Sequence, residues 1–269
     1  MPYPLPDVSA RSLSELISLD SRSAVITGGA RGLGKAIARR LVEAGARVMI
    51  ADLDGDLART AAADLESIHE AATVTATRLD VTDAGSVAAC ADAAVAELGG
   101  LDVWVNNAGI FPSLPALDLP EETWDQVFAV NTRGVFTGSR EAARRMTDGG
   151  VIVNVISTAG FRGQAPGLSA YVGSKHAVRG LTRQLALEFG PRGIRVLGVA
   201  PTFVPTEGNL AAAAANGVDP AAMASFVKPS LIGRLGTPDD IARVVLFCAS
   251  DLSMIMTGST LLADAGETI

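Results

Sequence analysis

Residues 24–34 read Ala24-Val25-Ile26-Thr27-Gly28-Gly29-Ala30-Arg31-Gly32-Leu33-Gly34, and their reading decides the fold. A short β-branched run enters a glycine-rich turn, and apolar residues at Ile37, Leu41 and Val42 then begin a helix. In that order, glycines let backbone amides approach a pyrophosphate at the positive end of the helix. The spacing Gly28, Gly32, Gly34 differs from the common G-x-G-x-x-G pattern, so taken alone these residues equally describe a tight strand-to-helix turn.

Working outward, β-branched runs alternate with longer stretches of helical periodicity, the signature of βαβ units. Strands are predicted at Ala24–Thr27, Arg47–Ala51, Val74–Leu79, Val103–Val105, Val151–Ile156, Arg195–Val199 and Thr260–Ala263. Helices are predicted at Leu33–Ala44, Gly55–His69, Ala84–Leu98, Glu121–Met146, Ala170–Phe189 and Pro238–Ala249. The expectation is an α/β fold with a single doubly wound parallel seven-stranded sheet, Rossmann-like. Residues 1–20 carry three prolines and read as an N-terminal arm, with one dinucleotide-binding and catalytic domain over 21–269. The excursion Thr202–Arg234, with its alanine runs Ala211–Ala215 and Ala221–Ala224, reads either as short helices forming a lid or as a packing insertion.

The chain has 269 residues, 48% of them apolar and only 4% aromatic, with 28 glycines, which favours close helix-on-sheet packing. Its net charge of −7 and the lack of any basic run would repel a phosphate backbone, so no nucleic acid partner is expected. Cys90 and Cys248 lie in apolar helical patterns and read as core residues in a reducing compartment. No metal-ligand spacing occurs, so no metal is expected. Met1–Leu19 lacks a leader pattern and no apolar run approaches the roughly 18 residues of a membrane span, so the expected location is cytoplasmic, with no membrane partner.

Asp52 closes the second strand 20 positions beyond Gly32. A carboxylate there can accept the hydroxyls of an adenosine ribose and repel a 2′ phosphate, which points to NAD; the same residue could instead cap the next helix. Arg31 argues the other way, because a guanidinium beside the turn can pair with a 2′ phosphate, or else neutralise Asp52 or the pyrophosphate.

Three more segments add chemistry: Asn106-Asn107-Ala108-Gly109 after the fourth strand, Ser157 after the fifth, and Tyr171-Val172-Gly173-Ser174-Lys175 opening a helix. With the glycine turn, these resemble the short-chain dehydrogenase/reductase family over about residues 19–266. Residues four apart share a helix face, so the Lys175 ammonium is expected near the Tyr171 phenol, lowering its pKa from about 10 and making Tyr171 the acid/base. Ser157, at the carboxyl edge of the sheet, can orient the substrate oxygen. The resemblance implies that Lys175 also bonds the nicotinamide ribose and that Asn131 anchors a water in the proton relay. Without it, Asn131 and the following Gly134 read as a helix bend.

The resemblance extends the cofactor site to Gly28, Arg31, Gly32, Leu33, Gly34, Asp52, Leu53, Asp80, Val81, Asn107, Ala108, Gly109, Tyr171, Lys175, Pro201, Val204 and Thr206. Asp80 with Val81 would contact adenine, or Asp80 would cap the next helix. The loop after Pro201 would hold the nicotinamide carboxamide. Three departures stand out: Thr202 where relatives often carry glycine, one extra residue between Ser157 and Tyr171, and Ala265 before Gly266. Phe111, Phe161, Gln164 and Phe203, with neighbouring apolar residues, predict a pocket for a hydrophobic or aryl alcohol, although Phe111 and Phe203 also read as core.

The resulting expectation is NAD-dependent hydride transfer between a secondary alcohol and a ketone by a homotetramer. One rival is an NADPH-dependent carbonyl reductase; another is a dinucleotide-sensing regulator without turnover.

Overall fold

A computed structural model describes residues 5–67, 72–210 and 230–269. Its centre is a parallel seven-stranded sheet built from β1 (Ser23–Thr27), β2 (Arg47–Asp52), β3 (Val74–Arg78), β4 (Val103–Asn106), β5 (Gly150–Val155), β6 (Ile194–Pro201) and β7 (Thr260–Ala263), in the order β3-β2-β1-β4-β5-β6-β7. The middle strands read as unbroken apolar runs because both faces are covered. In β1, Ala24, Val25 and Ile26 are fully buried and pair with Val48, Met49 and Ile50 on one side and Val103, Trp104 and Val105 on the other.

Helices α2 (Gly32–Glu43) and α3 (Gly55–Glu66), with the later Pro238–Ala249, close one face through Ile37, Leu41, Ala61 and Val245. Helix α4 (Ala84–Leu98) and the two long helices between β4 and β6 close the other through Ala91, Ala142, Met146 and Leu185. Small side chains at these contacts bring the helices close to the sheet, as the composition predicts. The doubly wound fold is therefore as expected, with strand ends within two residues of the sequence reading.

Three regions differ from their sequence expectations or fall outside the description. The expected single helix Glu121–Met146 is α5 (Glu121–Phe128), a wide π turn (Ala129–Arg133) and α6 (Gly134–Arg145). Gly134 permits close contact here, since a Cβ on it would lie 3.1 Å from the Cβ of Val81. Within the expected arm, Leu13–Ile17 forms α1, held by a Ser12/Glu15 capping box, and Leu19 is fully buried. Arg11 and Arg22 both pair with the buried carboxylate of Asp251. The end of the predicted helix at His69 and both alanine runs of the predicted lid lie outside the described residues. Two further helices are α7 (Ser169–Phe189) and α8 (Pro238–Ala249).

Beneath the carboxyl edge lies a buried polar network. The Asn106 amide oxygen accepts from Trp104 Nε1 (2.8 Å), while its nitrogen donates to Ser139 Oγ (3.0 Å) and Asn154 Oδ1 (2.8 Å). Asn154 Nδ2 donates in turn to Thr182 Oγ1 at 3.0 Å, joining two strands to α6 and α7. Removing Asn106 strands three buried groups, and each orphan costs about 1–3 kcal/mol. Asn106→Ala is therefore expected to lower the unfolding free energy by about 2–4 kcal/mol in urea denaturation; a loss below about 1 kcal/mol would contradict this view of the network.

Candidate active site

The order of the sheet reverses between β1 and β4, and the crevice opens there. Thr27 Oγ1 accepts from the backbone N–H of Asn107 (3.0 Å) and of Ala108 (3.1 Å). Asn107 Nδ2 donates to the carbonyls of Thr27 (3.0 Å) and Gly28 (2.9 Å), stapling the glycine turn to the end of β4. Gly28 has φ +61°, and a Cβ on it would lie 3.0 Å from the Ala108 Cα; one on Gly34 would fall 2.1 Å from the Gly28 carbonyl oxygen. The turn thus has room for backbone only. Arg31 is the α2 N-cap and makes no side-chain cap bond, so amides of the first turn keep free donors for an anion, and the cradle fits a pyrophosphate.

On the adenine side, the Asp52 carboxylate accepts from the N–H groups of Ala30 (3.1 Å) and Asp54 (3.2 Å). The cap of α3 is Asp54, and that of α4 is Asp83, so neither Asp52 nor Asp80 holds the capping role that the sequence allowed. Leu53 is exposed beside Asp52. Asp80 accepts from the N–H (2.9 Å) and Oγ1 (2.7 Å) of Thr82, which hold its carboxyl below the usual range. Val81 packs on Gly134. Arg31 is exposed and forms no ion pair with Asp52 among the described residues.

Ser157 follows β5 and caps a short turn, accepting from the Ala159 N–H at 3.1 Å. Burial pushes the Tyr171 phenol above its ordinary pKa, and a hydrogen bond with Ser157 pulls it part of the way back. The Lys175 ammonium lies 5.6 Å from the Tyr171 ring centre and donates to the Val155 carbonyl at 3.0 Å. Lys175 is only 5% exposed, and burial pushes its pKa down to about 8. The expected lowering of the Tyr171 pKa by its lysine neighbour is thus overturned in the protein alone: the cation stands over the ring, is itself desolvated, and burial dominates both groups.

Asn131 is fully buried in the π turn, where its Oδ1 accepts from the Ile110 N–H (2.9 Å) and its Nδ2 donates to the Ile110 carbonyl (2.8 Å) and Ser174 Oγ (3.1 Å). A Cβ on Gly109 would lie 3.3 Å from Asn131 Oδ1 and 3.8 Å from Lys175 Nζ, so the strand-end backbone touches both residues. Ser174, which the sequence reading did not single out, also donates to the Tyr171 carbonyl at 2.7 Å.

The other expected residues scatter around this centre. Phe111 meets the Tyr171 ring edge-on at 6.0 Å. Phe161 packs on Ile156, Val178 and Ala200, with the Arg179 guanidinium 3.9 Å from its ring centre, which are the surroundings of a core residue. Gln164 is exposed, its Nε2 donating to Thr158 Oγ1 at 2.8 Å, and Phe203 is half-buried. Pro201 ends β6, Val204 joins the core beneath α2 and α8, and Thr206 lies beside Gly32. Leu33 packs on that same core. Among the described residues, no cluster of histidine, cysteine and carboxylate side chains could hold a metal, and no helix is long and apolar enough to cross a membrane.

A family profile described as enoyl-(acyl carrier protein) reductase matches residues 28–268. The 4-formylbenzenesulfonate dehydrogenase TsaC1/TsaC2 of Comamonas testosteroni is 40% identical over 94% of this chain and 100% of its own. D-threitol dehydrogenase of Mycolicibacterium smegmatis is 38% identical over 93% of this chain and 94% of its own. A short-chain type dehydrogenase/reductase from Mycobacterium marinum superposes with a TM-score of 0.88 at 33% identity, covering 96% of this chain and 99% of that one. A gluconate 5-dehydrogenase from Burkholderia cenocepacia J2315, solved with NADP and tartrate, gives 0.87 at 32% identity, again covering 96% and 99%.

The buried lysine should leave a signature in stability. Its pKa falls from 10.5 to about 8 on folding, so below pH 8 both states carry the proton and the cost of burial is felt in full. Between those values the unfolded chain still holds a proton that the folded chain has released, and stability rises with pH. Lys175→Met is therefore expected to be more stable than the parent at pH 7 by about 1–3 kcal/mol, after the loss of the bond to Val155. The advantage should shrink toward pH 10 in urea denaturation. An equal difference at both values would show that the charge is not the burden.

Proposed function

The chain belongs to the short-chain dehydrogenase/reductase family, and on that premise we propose that it is an NAD-dependent oxidoreductase interconverting a secondary alcohol and a ketone. The observation that carries the reading is the gathering of Ser157, Tyr171 and Lys175 beside a glycine cradle shaped for a pyrophosphate. Tyr171 takes the alcohol proton as general base, or returns it in reduction. Ser157 donates to the substrate oxygen and holds it at the phenol, and Asn131 connects the site to solvent through a water at the π turn. Bound NAD would supply the hydride acceptor. Lys175, while protonated, would offset part of the burial that holds the proton on Tyr171.

NAD is favoured over NADP by Asp52, whose carboxylate is fixed at the end of β2 by two backbone amides. The second reading, an NADPH-dependent reductase, draws on the free guanidinium of Arg31 and on the NADP bound to the Burkholderia relative. A hydrophobic or aryl alcohol is supported by Phe111, which stands against the Tyr171 ring. A homotetramer working in the cytoplasm completes the reading, supported by Trp124 and Phe136, which are 40% and 38% exposed along α5 and α6.

An NAD-reduction screen over secondary alcohols tests the activity. We expect turnover on apolar members, and a fall of about 10²–10⁴ in Tyr171→Phe with nucleotide binding near normal. A silent panel with intact NAD binding would favour the dinucleotide-sensing regulator. For the cofactor, separate NADH and NADPH titrations followed by fluorescence should give the tighter constant for NADH, and Asp52→Ala should narrow the gap; tighter NADPH binding by the parent would reverse the assignment.

A further inference from the structure

Two loops that follow neighbouring strands, the one after Ser157 and the one that begins at Thr202, meet at one carboxylate. Glu267 pairs through Oε1 with Arg162 Nη2 and accepts through Oε2 from Thr202 Oγ1. Arg162 belongs to the loop between Ser157 and Tyr171, and Thr202 begins the loop that carries Val204 and Thr206. The two loops follow different strands, β5 and β6, and Glu267 belongs to neither.

The turn that delivers this carboxylate is itself well built. Pro201 pairs with Ala263, which sets Thr202 beside the start of the carboxyl-terminal turn. The buried Asp264 accepts from the N–H groups of Gly266 (3.0 Å) and Thr268 (3.0 Å) and from Thr268 Oγ1 (2.6 Å). Ala265 and Gly266 take left-handed φ values of +54° and +82°, which turn the chain so that Glu267 points back over β6. The Ala265 carbonyl accepts from Leu231 at 3.0 Å, so the return of the long excursion is tied to the same turn.

An ordinary surface ion pair contributes little because water competes for both partners. Here the Glu267 side chain is only 11% exposed; Arg162 is 38% exposed, but its Nε is buried and has no hydrogen-bond partner among the described residues, so the guanidinium has lost water on that side. Its bond to Glu267 then replaces hydration.

We propose that Glu267 is a positioning residue: by locking Arg162 and Thr202 together it fixes the substrate loop against the loop after β6, and so sets the width of the substrate pocket. The kinetic part of this proposal rests on the dehydrogenase reading; the coupling of the loops does not.

Amide hydrogen exchange on the full chain, without substrate, tests the coupling. In Glu267→Ala, peptides from residues 158–170 and 202–206 are expected to exchange about tenfold faster together, while β1, β4 and β5 keep parental rates. Glu267→Gln, which keeps an oxygen for Thr202 but loses the charge that holds Arg162, should loosen 158–170 and spare 202–206. Arg162→Ala combined with Glu267→Ala should loosen 158–170 no further than Glu267→Ala alone. On 1-phenylethanol at saturating NAD, Glu267→Ala should raise KM about tenfold with kcat within about threefold. Parental exchange in both loops of Glu267→Ala, or acceleration spread evenly through the core strands, overturns the proposal. A parent protein inactive on 1-phenylethanol bears on the proposed activity alone, and the exchange result then decides the coupling.

Discussion

Where β1 and β4 part company, backbone groups lose the partners that a continuous ladder would supply, and the whole crevice depends on how they are recovered. Buried amides and carbonyls must be paired. Thr27 serves two amides of the following loop through one hydroxyl, and Asn107 serves two carbonyls through one amide nitrogen. These four bonds fix the separation of the strand ends and the path of the glycine turn. The first amides of α2 have no side-chain cap from Arg31. A turn whose carbonyls are satisfied from β4 and whose helix start lacks a cap has the donors that a phosphate would accept from.

The Tyr171 phenol, the proposed acid/base, stands under an opposite tension. On α7 beside β5, Lys175 is buried and Tyr171 half-buried, and desolvation raises the cost of charging either one. A lysine held near pKa 8 by burial is a destabilising choice for a core, offset in part by the Val155 carbonyl. The same exclusion of water strengthens any charge that later enters the crevice. Burial therefore costs the folded protein stability while making the phenol responsive to a bound cation, the usual relation between a functional site and the scaffold that carries it.

Much of this was legible from local pattern. The strands were readable because burial on both faces leaves β-branched runs with sharp ends, and Asn107, Ser157, Tyr171 and Lys175 stand at those ends or at a helix start. What escaped is non-local. The π turn has no compositional mark of its own; Asn131 followed by Gly134 reads only as a bend in a continuous helix. Helical spacing placed Lys175 near Tyr171 but carried no information on depth, so the sign of the Tyr171 shift came out wrong. Asp54 and Asp83 took the caps because each lies directly before its helix, a distinction inside the boundary error of sequence reading. Arg162 and Glu267 are 105 positions apart, and no periodicity links them.

The geometry of Asp52 bears on the choice of nucleotide more closely than its charge alone. A carboxylate offers about four lone-pair sites. Two are occupied by the amides of Ala30 and Asp54, which hold the group rigidly and leave capacity for two hydroxyl donors. A ribose with both hydroxyls free matches that capacity. A 2′ phosphate would bring acceptors where donors are needed and a second negative charge against a carboxylate that cannot swing aside without releasing the glycine turn. The bond from Ala30 therefore ties Asp52 to the glycine turn, so that on the proposed reading one turn would position the pyrophosphate and hold the group that meets the ribose.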